Sequence, residues 1–138
     1  MSYFRLEEFL ISETALKLGL QNNPSWDVVK NLKELAAFLD KLREDWGSAI
    51  RVTSGFRCER LNKAVGGSVT SAHLIGYAAD IQPVNGKMEE FIDFIKVWAE
   101  GKDFDQIVIE QNKKTTWVHI GLKNMRGQQR HKLFNMFV

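Results

Sequence analysis

Apolar residues recur at three- and four-residue steps through Val28, Leu32, Leu35, Leu39, Leu42 and Trp46, the spacing that lines one face of an α-helix. Asn23-Pro24 offers a cap and a first-turn proline before this run, and Gly47 a stop after it. The pattern predicts a core helix of about six turns. The period then changes. Ala49-Ile50-Arg51-Val52-Thr53 has β-branched alternation and runs into Ser54-Gly55, which predicts a short strand ending in a turn. A second strand is expected over Ala78-Ala79-Asp80-Ile81-Gln82, closed by Pro83. Between the two strands lie a short helix around Cys58–Val65, Gly66-Gly67, and a polar stretch to Gly76 that reads as a loop, where functional side chains gather.

Met88, Phe91, Ile92, Ile95, Trp98 and Ala99 predict a second amphipathic helix over Lys87–Glu100, stopped by Gly101. Phe104–Glu110 and Thr116–Leu122 read as strands of an antiparallel hairpin joined through the polar segment Gln111-Asn112-Lys113-Lys114-Thr115. Arg126–Arg130 is expected to be a solvated surface segment, with Leu133, Phe134 and Phe137 docking back on the core. This order of elements predicts an α+β fold, a single domain over 1–138, with a small, mostly antiparallel sheet packed against helices.

Composition narrows the function. A chain of 138 residues with 44% apolar and 26% charged residues is an ordinary globular domain, which excludes disorder and coiled coil as whole-chain answers. Nineteen basic against 17 acidic residues leave a net charge of +2, too little to make nucleic acid an expected partner. No run approaches the roughly 18 apolar residues that span a bilayer. Arg5, Glu7, Glu8, Glu13 and Lys17 interrupt the N-terminal stretch, so no signal segment is read there and the protein is expected to be cytoplasmic as synthesised. The lone cysteine, Cys58, cannot form an internal disulfide, and no motif around it supports a nucleophilic thiol.

Three residues suggest metal chemistry: His73, Asp80 and His119. A catalytic zinc takes three imidazole or carboxylate ligands and keeps a position open for water, and two histidines with one aspartate meet that demand. The seven-residue step from His73 to Asp80 requires a loop that turns back into a strand, with Gly76 as its pivot. On the residues alone, a lone histidine is more often a surface or hydrogen-bonded side chain than a ligand.

The words around these residues resemble a known family. Ser54-Gly55-Phe56-Arg57, Leu61-Asn62-Lys63-Ala64-Val65-Gly66-Gly67-Ser68, Ser71-Ala72-His73-Leu74-Ile75-Gly76-Tyr77-Ala78-Ala79-Asp80-Ile81 and Trp117-Val118-His119-Ile120 are similar to the zinc D-alanyl-D-alanine carboxypeptidases and their phage endolysin relatives. These are peptidoglycan peptidases of the Hedgehog/DD-peptidase fold. With Phe9-Leu10-Ile11-Ser12-Glu13-Thr14-Ala15 and the long helix, the resemblance runs over roughly positions 4 to 126. It implies one Zn2+ per chain held by His73, Asp80 and His119, and peptidoglycan stem peptides as substrate, with D-Ala-D-Ala and L-Ala-D-Glu among the candidate bonds. It also implies a substrate-binding role for Arg57, whose planar fork suits a peptide carboxylate or a polarised carbonyl oxygen; a surface arginine is the other reading. The Ser71 hydroxyl either binds substrate or caps its loop.

The general base departs from the pattern. Many relatives carry an acid three positions before the last histidine, where this chain has Thr116, and a hydroxyl cannot take a proton from water near neutral pH. Strand alternation points to Glu110. If Ile107, Ile109, Val118 and Ile120 form the buried face of the hairpin, Gln106, Val108 and Glu110 share the opposite face with Trp117, His119 and Gly121. Asp105 falls on the wrong parity. Some family members do carry a glutamate at the end of that strand, although a solvated hairpin residue is the alternative for Glu110. The implied activity is zinc-dependent peptide hydrolysis without a covalent intermediate. The alternative, favoured by Thr116, is a non-catalytic zinc-binding module for recognition in the cell wall or a phage particle. A monomer, and a phage or prophage enzyme that meets the wall after release, complete the expectation.

Overall fold

The long helix begins two residues later than Asn23-Pro24 suggests, because Ser25 is the cap: its Oγ accepts from the Val28 N–H at 3.3 Å. In this computed structural model, which describes residues 2–138, α1 spans Glu13–Leu18, α2 Trp26–Trp46, α3 Glu59–Ala64 and α4 Met88–Trp98. The strands are β1 Ile50–Ser54, β2 Ala78–Pro83, β3 Gln106–Gln111, β4 Thr116–Gly121 and β5 Lys132–Phe137, with 3-10 turns at Leu6–Phe9 and Ala72–Ile75. The stripe on α2 does what its spacing demands, since Leu32, Leu35, Leu39 and Leu42 are wholly buried.

The five strands form one sheet in the order β1-β2-β4-β3-β5. β1 with β2, β2 with β4 and β3 with β4 are antiparallel, whereas β5 lies parallel to β3. The sheet is therefore mixed, which corrects the expectation of a mostly antiparallel one. The reason is topological. Both edges of β4 are occupied by β2 and β3, so the chain leaving β4 pairs with an outer edge of the sheet, and it takes the neighbouring one, that of β3. Gln106, where β3 starts, sits beside both Gly121, where β4 ends, and Lys132, where β5 starts. The connection thus stays at one end of the sheet, and β5 runs opposite to β4 and along β3. Leu133 does pack against the core, while Phe137 stays exposed.

The sheet has two unlike faces. Ala79, Ile81, Ile107, Ile109, Val118 and Ile120 join α2 and the α4 residues Phe91 and Ile95 in the core, and burial of this apolar surface is the main stabilising contribution. Residues of the opposite parity, Asp80, Val108, Glu110 and His119, face the loop between α3 and β2. Gly76 turns that loop into β2 with a φ of +81°. A Cβ there would lie 2.9 Å from the Val28 carbonyl oxygen and 3.1 Å from Leu32 Cγ, and Asn31 Nδ2 donates to the Ile75 oxygen at 2.8 Å. The loop is clamped to α2. Among the described residues no helix is long and apolar enough to cross a membrane.

Gly76 is held by both backbone conformation and close approach, whereas Gly86, with a φ of +77°, has nothing within 4 Å of an added Cβ. Gly76→Ala should cost about 2–4 kcal/mol in urea unfolding, and Gly86→Ala only about 1 kcal/mol. Equal losses would show that the Val28 contact does not matter.

Candidate metal centre

Antiparallel pairing of β2 with β4 sets Asp80 directly across from His119, and the 3-10 turn before Gly76 carries His73 to the same point. His119 Nδ1 lies 3.0 Å and His73 Nε2 3.4 Å from Asp80 Oδ1. One donor atom from each of the three residues falls within 4.8 Å of the others. His73 and Asp80 are buried and His119 nearly so. The structure thus brings together the three residues singled out as ligands, with Gly76 as the pivot.

The orientation of His73 is set from behind. Its Nδ1 lies 2.6 Å from the Gly55 carbonyl oxygen. That oxygen can only accept, so Nδ1 carries the proton and Nε2 turns its lone pair toward Asp80. The backbone of His73 is held as well: its N–H donates to Ser71 Oγ at 3.2 Å, and its carbonyl accepts from the Arg57 N–H at 3.1 Å. Ser71 therefore caps its turn, one of the two roles open to it. Gly55 permits the arrangement because a Cβ there would stand 2.5 Å from the Phe9 carbonyl oxygen, which accepts from the Phe56 N–H at 2.7 Å. Asn22 ties the same joint, donating to the Leu10 and Phe56 oxygens and accepting from the Cys58 N–H.

The three groups are shifted in different directions by burial and by one another. Burial pushes His73 below its ordinary pKa, with the Asp80 charge opposing. Burial alone would raise Asp80, but its two histidine neighbours, His73 and His119, outweigh it and hold the carboxylate ionised far below its usual range. For His119, burial lowers the pKa and the Asp80 hydrogen bond more than restores it. Two imidazole nitrogens and one ionised oxygen, converging in a buried place, are a donor set that fits zinc.

Arg57 stands beside this cluster. Its Nη2 lies 3.7 Å from Asp80 Oδ2, its Nε donates to Ser54 Oγ at 3.4 Å and its Nη1 to Asn62 Oδ1 at 3.3 Å. Burial pulls the guanidinium down from its usual value, and the charges of Asp80 and Glu110 oppose this. Asn62 is almost wholly buried and also donates to the Ser68 oxygen at 2.9 Å, so it joins Arg57 to the loop. Nothing in its place on a short polar helix distinguishes it in the sequence.

Glu110 lies where strand parity puts it, with Trp117 across the ladder and Val108 opposite His119. It lines the same cavity of about 530 Å3 as His73, Asp80, His119 and Arg57. Half-buried, its carboxyl is raised by desolvation and by the Asp80 charge, with His119 pulling the other way. Cys58 does not line this cavity.

Asp105 departs from the sequence reading. It precedes β3, so strand parity does not govern it, and it too lines the cavity. Its carboxylate is occupied: Arg130 donates to it from Nε at 2.7 Å, Nη2 at 3.0 Å and the backbone N–H at 3.1 Å. The Arg126–Arg130 segment is therefore anchored at its last residue rather than freely solvated. Burial raises Asp105 and the Arg130 hydrogen bonds outweigh it, leaving the carboxyl below its ordinary value.

The family model for peptidase M15 matches residues 2–121, a span that holds all of Arg57, Ser71, His73, Asp80, Glu110 and His119 and leaves β5 outside. No curated protein matches the chain.

Since Arg130 keeps Asp105 below its ordinary pKa, the stabilisation exists above the usual carboxylate value, about 4, and disappears as pH falls through the lower folded value. Arg130→Gln should lower the urea midpoint at pH 7, and the two proteins should converge as pH falls below the ordinary carboxylate range. Equal midpoints at neutral pH would show that the pair adds nothing.

Proposed function

The chain belongs to the peptidase M15 family, and from that premise we propose that it is a zinc-dependent metallopeptidase, one domain over 1–138, that hydrolyses peptide bonds in peptidoglycan stem peptides as a D,D-carboxypeptidase or endolysin-type endopeptidase. The observation that carries this reading is the convergence of His73 Nε2, Asp80 Oδ1 and His119 Nδ1 in one cavity with a further carboxylate, Glu110.

His73, Asp80 and His119 would hold the zinc. Bound there, the metal supplies Lewis acidity toward a water molecule and the scissile carbonyl. Glu110 takes the proton of the attacking water and passes it to the leaving amine. A carboxyl raised by burial and by Asp80 is suited to both halves of that transfer, since a general acid/base works best near the operating pH. Arg57, held by Ser54 and Asn62, donates to the substrate carboxylate or to the oxygen on which negative charge grows. Ser71 accepts from the His73 N–H, which leaves its own O–H free to donate to substrate. The non-catalytic module has Thr116 in its favour, but Glu110 supplies in the same cavity the carboxylate that Thr116 lacks.

Elemental analysis of purified protein should give one zinc per chain, and His119→Ala should abolish most of it; full occupancy in that variant would displace His119 from the ligand set. Glu110→Gln should retain zinc and fold yet lower kcat on muropeptides by roughly 10²-fold or more. Wild-type turnover in Glu110→Gln would place the base elsewhere, and a zinc-loaded wild type that cleaves no muropeptide would favour the recognition module. Arg57→Lys keeps the charge and loses the fork, so activity should fall by at least about tenfold with zinc retained; unchanged kcat/KM would reduce Arg57 to a charge partner of Asp80.

A further inference from the structure

β1 forms the edge of the sheet on the Arg57 side. Which of its peptide groups face outward follows from the alternation of an antiparallel ladder. Val84 N–H donates to the Ala49 oxygen at 2.9 Å, so Ala49 points toward β2. Leu122 N–H donates to the Tyr77 oxygen at 2.7 Å, so Tyr77, and with it Ala79 and Ile81, point toward β4. Ile50 alternates with Ala49, and Val52 lies across from Ile81. Both therefore turn their N–H and C=O away from β2. No turn or loop of the described residues takes up these groups.

They open onto a groove of about 840 Å3, within the range of sites built for small ligands and peptides. Val84, at one end of β1, and Arg57, at the other, both line it, together with Ile11, Thr14 on α1 and Leu61 on α3. Arg57 and Val65 line both this groove and the cavity of the metal cluster, so the two adjoin across those side chains.

We propose that the β1 edge binds the main chain of the peptide substrate: an extended stretch of substrate adds to the sheet along Ile50 and Val52, then turns past Arg57 to bring the scissile bond to His73, Asp80 and His119. The inference rests on the peptidase reading above. Its occupant is an extended peptide of about four residues or more, recognised by its backbone. Outward peptide groups two residues apart repeat at about 6.6–6.8 Å, the repeat of an extended chain, as in other cases of strand addition. Direct contact of the groove with the cluster's own arginine makes substrate, rather than a second protein, the matching partner.

The test uses zinc-loaded Glu110→Gln protein, to slow turnover, and a five-residue stem peptide followed by amide NMR. The Ile50 and Val52 amides should shift and gain protection from exchange. Two peptides N-methylated at alternate amides, in opposite phase, should behave differently: one phase binding about tenfold more weakly, the other nearly as the parent, because only one phase faces the edge. Val52→Pro removes one outward donor and no ladder bond, and should weaken binding about tenfold with zinc content unchanged. The proposal is overturned if the Val52 amide is unmoved while residues around His119 respond, if neither phase of methylation matters, or if these amides are protected without peptide by self-association. If the wild type cleaves no stem peptide while Ile50 and Val52 still respond, the peptidase reading falls and the peptide-binding edge stands.

Discussion

Asp80 is a carboxylate taken out of water, and removing an ion from water costs several kcal/mol unless partners replace the lost hydration. Its partners are His73, His119 and Arg57, and each comes from a different part of the chain. Much of the polar architecture can be read as the means of bringing those partners to one carboxylate. The β2–β4 register supplies His119, Gly76 returns the loop that carries His73, and the turn after β1 delivers Arg57. Behind them stand Gly55, whose carbonyl orients His73, and Asn62, which joins Arg57 to the loop.

This dependence explains why the sheet carries polar groups on one face and an apolar core on the other. The core face is filled by α2 and α4, which fixes the strands and hence the side-chain parity on the face that holds the cluster. A slip of one residue between β2 and β4 would send Asp80 into the core and Ile81 out of it. The hydrophobic core therefore determines the electrostatic geometry, and the donors converge with no flexible segment between Asp80 and His119.

The side of the cavity away from Arg57 is built differently. There the Asp105–Arg130 pair anchors the chain as it enters β5, and Met136 and Val138 help to line the cavity. All of β5 lies beyond the family match. The candidate metal ligands thus sit on the part of the chain shared with the family, and residues of β5 and the chain end help to line their cavity.

Local periodicity was enough to reveal α2, α4, β1, β2 and the β3–β4 hairpin, because burial of one helix stripe or one strand face leaves a repeating trace in the residues themselves. The same alternation placed Glu110 on the face of His119. What it could not show was anything fixed by pairing between distant segments. β5 lacks alternation, and its parallel course follows from which edge of the sheet is free, a property of the assembled sheet. Asn62 and Asp105 look like ordinary polar residues, since their importance lies in the desolvation they undergo and the partners, Arg57 and Arg130, that compensate it. Sequence alone thus determined the elements, the parity of the hairpin and the identity of the candidate ligands. Tertiary structure decided the distances among them, the direction of β5 and the protonation of His73, because hydrogen bonding and desolvation depend on where chain segments far apart in sequence finally meet.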